Sequence, residues 1–119
     1  GDFYIEATPH TYLEQVQVYP SVKEKKARIH VNIYSDSEQS GVVTLSAKTW
    51  NTQQEHQLPD MEKQVGLSKG ENKIELVLDM GNRMQTWSEF HPTLYALNVA
   101  LTTNEGKDNI ITDFGMRDF

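Results

Sequence analysis

With 119 residues and 13.6 kDa, the chain has material for one domain that buries roughly two-thirds of its unfolded surface, and too little for two ordinary ones. Its formal charge of -6 gives no basic footprint of the kind that seats a protein on phosphate backbones or anionic lipid, so neither nucleic acid nor a membrane is expected as a partner. The lack of cysteine removes disulfide scaffolds, thiolate metal sites and cysteine nucleophiles together, and leaves the compartment open.

No apolar run approaches the roughly 18 residues of a membrane span, and the amino end has neither the basic region nor the apolar core of a signal peptide. The chain starts abruptly in the strand-like run Phe3, Tyr4, Ile5 and ends on Phe119 without a polar tail, the profile expected of a piece of a longer protein. That first run stops at Thr8 and Pro9. Residues 1–9 then read either as a linker or remnant of a preceding domain, or as a first edge strand of this one.

Residues 10–119 read as one β domain. Val16 and Val18 alternate with Gln15 and Gln17, which marks a strand expected to stop at Pro20. Lys23, Glu24, Lys25 and Lys26 make a solvated turn with no interleaved aromatics. Strict alternation then puts Ala27, Ile29, Val31 and Ile33 inward and Arg28, His30, Asn32 and Tyr34 outward. After a polar loop from Ser35 to Gly41, the inward residues Val43, Leu45 and Ala47 define a third strand ending at Trp50. By parity Trp50 points away from the core, whereas the core tryptophan of an immunoglobulin strand C would point into it.

The pattern weakens from Asn51 to Gly70, where a loop and one short strand near residues 63–67 are expected. Ile74, Leu76 and Leu78 alternate with Glu75, Val77 and Asp79 to give the next strand. A loop from Gly81 carries Trp87 and Pro92 to the clearest strand of all, in which Tyr95, Leu97, Val99 and Leu101 fall on every second position. Asn104 to Lys107 turn the chain back into Ile110 and Ile111, closing a hairpin.

About seven short strands with turns near every tenth residue, and no helical period, predict an all-β antiparallel sandwich with Greek-key connections. Its expected core is Ile29, Val31, Ile33, Leu45, Leu76, Leu78, Leu97, Val99 and Leu101, held without a disulfide. Each such side chain contributes roughly 1.5–3 kcal/mol when fully buried. Tyr95 sits where immunoglobulin-like folds place a tyrosine whose hydroxyl bonds back to nearby backbone, with Leu97 in the cysteine position.

A Trp in a polar loop (Trp87), then Pro92, Leu94 and Tyr95 opening a strand, then Phe114, Gly115 and Arg117 closing the next, resembles the immunoglobulin-like β-sandwich domain of glycoside hydrolase family 2. That family holds β-galactosidases, β-glucuronidases and β-mannosidases. The resemblance covers roughly residues 8–119. It implies a non-catalytic spacer, from a β-galactosidase first of all, lying between a sugar-binding jelly roll and a catalytic (β/α)8 barrel. Residues 1–9 would then be the end of the jelly roll, and the partners would be neighbouring domains of the same polypeptide. Phe90 and Met116 stand where Asn and an aromatic are frequent in the family, which leaves the particular specificity open.

The resemblance carries over no catalytic residue, because the family's acid/base and nucleophile are glutamates of the barrel. The residues point the same way. A glycosidase needs two carboxyl groups facing across a sugar, about 5–5.5 Å apart for retention and 6.5–9.5 Å for inversion. Nothing in the spacing of the 17 acidic residues singles out such a pair, and Glu75 and Asp79 read as a solvated strand face. His10, His30, His56 and His91 lack metal-ligand spacing, and no phosphate or dinucleotide motif occurs, so no metal or cofactor is expected. The candidate residues are interdomain contacts: Trp87, Phe114, Gly115, Arg117 and Trp50. Gly115 permits a close backbone approach, and Arg117 is suited to a carboxylate or carbonyl on the barrel. An alternative function is a carbohydrate-binding or adhesion module, with Trp50 and Tyr34 as an exposed stacking platform.

Overall fold

The computed structural model describes residues 10–117; the boundary expected at residues 1–9 lies outside them. Seven strands form: β1 (Thr11–Ser21), β2 (Lys26–Ser35), β3 (Gln39–Thr49), β4 (Met61–Leu67), β5 (Gly70–Asp79), β6 (Tyr95–Thr103) and β7 (Gly106–Phe114). They make two antiparallel sheets, ordered β1-β2-β5 and β4-β3-β6-β7. The chain changes sheet after β2, β4 and β5, so two layers close over one core as an immunoglobulin-like sandwich.

The alternation read from the sequence is the alternation of the fold. Ala27, Ile29, Val31 and Ile33 are fully buried, as are Val43, Leu45, Leu97 and Val99, with Leu76, Leu78 and Leu101 within a few percent of it. Every residue of the expected core is therefore inside. Leu13, Leu58, Val65, Leu67, Met80, Tyr95, Phe114 and Met116 complete it, drawn from strand ends and from the loops beneath them.

Strand β1 departs from the expectation in two ways. Its register against β2 shifts between Leu13 and Gln15, a bulge that leaves Glu14 as the extra residue and changes the phase of the strand. Leu13 before the bulge and Val16 and Val18 after it thus all pack on the core. Pro20 does not stop the strand; it pairs with Ala27, one residue short of the end. β1 is an edge strand, where a residue without an N–H can face outward at no cost to the ladder.

Three hairpins (β1–β2, β3–β4, β6–β7) and three crossovers (β2–β3, β4–β5, β5–β6) connect the strands at the two ends. At the β4-to-β5 crossover the Asn72 amide accepts the Ser68 N–H at 2.8 Å and donates to the carbonyls of Ser68 and Gly70 at 2.9 and 3.1 Å. Gly70 there has a φ of +103°, in the region that glycine enters without strain. One end of the sandwich holds His10 and the turns after β2, β4 and β6; the other holds the β1–β2 turn, residues 50–60, residues 80–94 and the exit at residues 115–117.

Candidate functional site

The residues singled out in the sequence meet at the exit end. β7 alternates so that Ile110 and Phe114 face the core, and Gly115 follows at the strand's end. The Trp87 N–H donates to the Met116 carbonyl at 2.9 Å, which lays the indole across Gly115. A Cβ on Gly115 would stand 3.0 Å from the ring's Cδ1 and 3.1 Å from Cβ and Cγ of Trp87. A side chain here would need Trp87 to give by a few tenths of an ångström, and the crowding falls on the rooted part of the Trp side chain.

Arg117 also packs on the indole. Its guanidinium carbon lies 4.4 Å from the centroid of a Trp87 ring, inside the range in which a cation is attracted to an indole face. Val18 and Pro20 of β1, with Leu94, border the same groove, which measures about 320 Å³. Trp87 therefore caps this end of the sandwich, in contact with a glycine and an arginine.

Phe114, expected among the interdomain contacts, is only 6% exposed. Its ring stacks on Tyr95 with centroids 5.3 Å apart and planes 14° from parallel, so it forms the floor of the site rather than its surface. Strand parity explains the difference, since Phe114 is in phase with the inward Ile110. Met116, fully buried, continues the same phase and could have been found by extending the alternation two residues.

Trp50 follows parity. It is 56% exposed, held at the foot of β3 by its N–H to the Leu94 carbonyl at 3.4 Å and flanked by Asn51, whose amide donates to the Pro92 carbonyl at 2.7 Å and accepts the Leu94 N–H at 2.9 Å. Tyr34 lies on the other sheet toward the opposite end, packed on Tyr12 at 5.5 Å. The two do not share a platform.

Sequence reasoning missed the polar node behind Trp87. The Tyr95 hydroxyl accepts the Gln85 N–H at 3.0 Å, the back-bond to nearby chain expected of a tyrosine in this position. It also meets His56 Nδ1 at 2.6 Å. Both hydrogen bonds are satisfied when the phenol donates to an unprotonated Nδ1. Burial, and next the charge of Arg83, lowers the His56 pKa from its usual value. Burial raises that of Tyr95, opposed by the Gln85 N–H. Nothing in the sequence around His56, a polar run without period, indicated this partner.

The remaining ionisable groups among the described residues are dispersed. His30 faces Glu75 at 3.6 Å and His10 faces Asp36 at 3.6 Å, and Arg28 pairs with Glu24 at 2.8 Å. Among the described residues no group of three or more His, Cys, Asp and Glu is arranged to hold a metal ion, and no helix is long and apolar enough to cross a membrane.

A family model described as glycosyl hydrolases family 2 matches residues 11–117. The chain belongs to that family. Among solved structures, this family 2 domain is similar to a glycosyl hydrolase family 2 member from Bacteroides cellulosilyticus, with 20% identity, a TM-score of 0.66, and coverage of 91% of this chain and 16% of that one. It is also similar to a β-glucuronidase from Parabacteroides merdae (16% identity, TM-score 0.63, 92% and 14% covered). A third is a family 2 β-galacturonidase from Eisenbergiella tayi, bound to galacturonate (17% identity, TM-score 0.60, 92% and 19% covered). At these identities the likeness is one of fold. The family 2 domain spans less than a fifth of the length of those chains. No curated protein matches it.

Proposed function

We propose that this chain is the non-catalytic spacer of a family 2 glycoside hydrolase, set between a sugar-binding jelly roll before it and a catalytic (β/α)8 barrel after it. The observation that carries this reading is the placement of the two ends. The described chain enters beside the β2–β3 turn and leaves beside Trp87, at opposite poles of the sandwich. They are separated by a ten-residue strand, about 33 Å at the usual rise. A rigid two-sheet body between entry and exit fixes the distance and orientation of whatever is joined to each.

The function is thus geometric. Trp87, Gly115 and Arg117 set the direction in which the chain leaves, Phe114 supports them from the core, and Trp50 stands beside them on the surface. The parent enzyme hydrolyses terminal O-glycosidic bonds with glutamates of its barrel. A β-galactoside is the substrate that the sequence resemblance favours, and glycosides of uronic acids are the alternative that the similar structures bring in. Sugar reaches this domain only through the parent.

One observation favours a second reading, a carbohydrate-binding module: Trp50 presents more than half of its surface to solvent, and an exposed indole can stack on a sugar face. Titrating the chain with galactosides and glucuronides while following Trp fluorescence separates the two. The spacer reading predicts no saturable change at millimolar sugar. A saturable change lost in Trp50→Ala makes the chain a binding module instead.

A further inference from the structure

Two loops meet at the exit end around one hydroxyl. The loop of residues 50–60 is bound to β3: the Thr49 N–H donates to the His56 carbonyl at 3.0 Å, the His56 N–H to the Thr49 hydroxyl at 2.8 Å and the Leu58 N–H to the Ala47 carbonyl at 2.9 Å. Residues 80–94 have other anchors, the Met80 N–H on the Lys25 carbonyl and the Trp87 N–H on the Met116 carbonyl, each at 2.9 Å. What joins the inner halves of the two loops is the Tyr95 hydroxyl, which accepts the Gln85 N–H at 3.0 Å and meets His56 Nδ1 at 2.6 Å. Beside it runs one exposed bond, from the Gln85 side-chain amide to the Gln54 carbonyl at 2.9 Å. Farther out, Trp50 and Asn51 are tied to Pro92 and Leu94 by bonds in which nothing titrates.

The hydroxyl is in balance only while His56 is neutral. Tyr95 is fully buried, and with Nδ1 unprotonated the phenol both donates to it and accepts the Gln85 N–H. A proton taken up from solvent at Nδ1 turns that acceptor into a donor. The phenol O–H is then left without an acceptor, since the hydroxyl meets no third group among the described residues, and it bears the full desolvation cost of a buried, unpartnered donor. Burial and the charge of Arg83 on the facing loop oppose the imidazolium. Glu55 beside His56 in sequence and Asp79 at the end of β5 border the same groove with the opposite sign, and the net effect holds the His56 pKa below its usual value. β3 and β6 bring only the uncharged Thr49 and Tyr95 against the ring.

We infer that the Tyr95–His56 contact is an acid-released latch: protonation of His56 parts residues 83–86 from residues 53–56 while the two sheets stay folded. Gln85 lies two residues before Trp87, so the release also loosens the cap at the chain's exit. The device is a property of this chain and stands whether or not the spacer reading does.

The test follows backbone amide exchange by NMR in the 119-residue chain, expressed as protection over the intrinsic rate at each pH so that base catalysis cancels. Gln85 reports on the latch, and Val31 in the middle of β2 reports on the sandwich. Between about pH 7.5 and pH 5 the protection of Gln85 is expected to fall by about tenfold or more, while that of Val31 is unchanged. In His56→Gln the side-chain oxygen accepts from the phenol at every pH, so Gln85 keeps its protection down to about pH 5. In Tyr95→Phe, Gln85 exchanges freely at both. A wild-type Gln85 amide equally protected at the two pH values overturns the inference. A fall that survives in His56→Gln overturns it too, because another group is then titrating, and so does a parallel fall at Val31, which marks unfolding of the whole domain.

Discussion

Tyr95 does more for this end of the molecule than its place in the core requires. Its ring is fully buried and stacked on Phe114, while its hydroxyl ties residue 85 of one loop to residue 56 of another. Tyr95→Phe keeps the ring and leaves the Gln85 N–H and the His56 ring without their partner. A loss of about 1–2 kcal/mol is expected, read from urea unfolding at neutral pH. The His56 pKa is depressed in the folded chain, so the unfolded state binds more protons just below the usual value of 6.5. Stability therefore rises with pH in that interval. The contribution is complete above 6.5, falls as pH drops below it, and levels off beneath the folded pKa. His56→Gln should flatten this acid-side slope; an unchanged slope would show that His56 does not titrate as its burial and Arg83 imply.

The elements at the exit end are held by one close approach, and Gly115 is where it gives way. Gly115→Ala drives a methyl into Trp87 at 3.0–3.1 Å, against the rooted part of a side chain whose ring also carries Arg117. Overpacking of this kind costs about 1–3 kcal/mol and should shift the Trp emission as the indole moves. A variant with wild-type stability and spectrum would mean that Trp87 is not pressed against Gly115. Legibility in the sequence follows the same division between strands and ends. Period-two runs from Ala27 to Ile33 and from Tyr95 to Leu101 determine which side chains enter the core, and each of those residues is inside. β1 was harder to read because its bulge breaks the period between Leu13 and Val16, and edge pairing lets Pro20 remain in the strand. The motif makes Phe114 an interdomain contact, while alternation along β7 puts its ring inside, where it lies. The His56–Tyr95 bond joins residues 39 apart in sequence across a segment without pattern, and only the packed loops reveal it.

As a whole the described molecule is a two-layered body of two antiparallel sheets. Apart from the bulge in β1, the antiparallel ladders run the length of the sandwich between its two ends. The site at the exit contains a capping indole, a glycine and a cation, which in the spacer reading orient the chain. The most direct measurement is turnover of nitrophenyl β-galactoside and β-glucuronide by the purified 119-residue chain, with folding monitored in parallel by its β-sheet circular dichroism. A spacer gives no release of nitrophenol above buffer while the chain is folded. Saturable hydrolysis abolished by substituting an acidic residue of this chain would contradict the account.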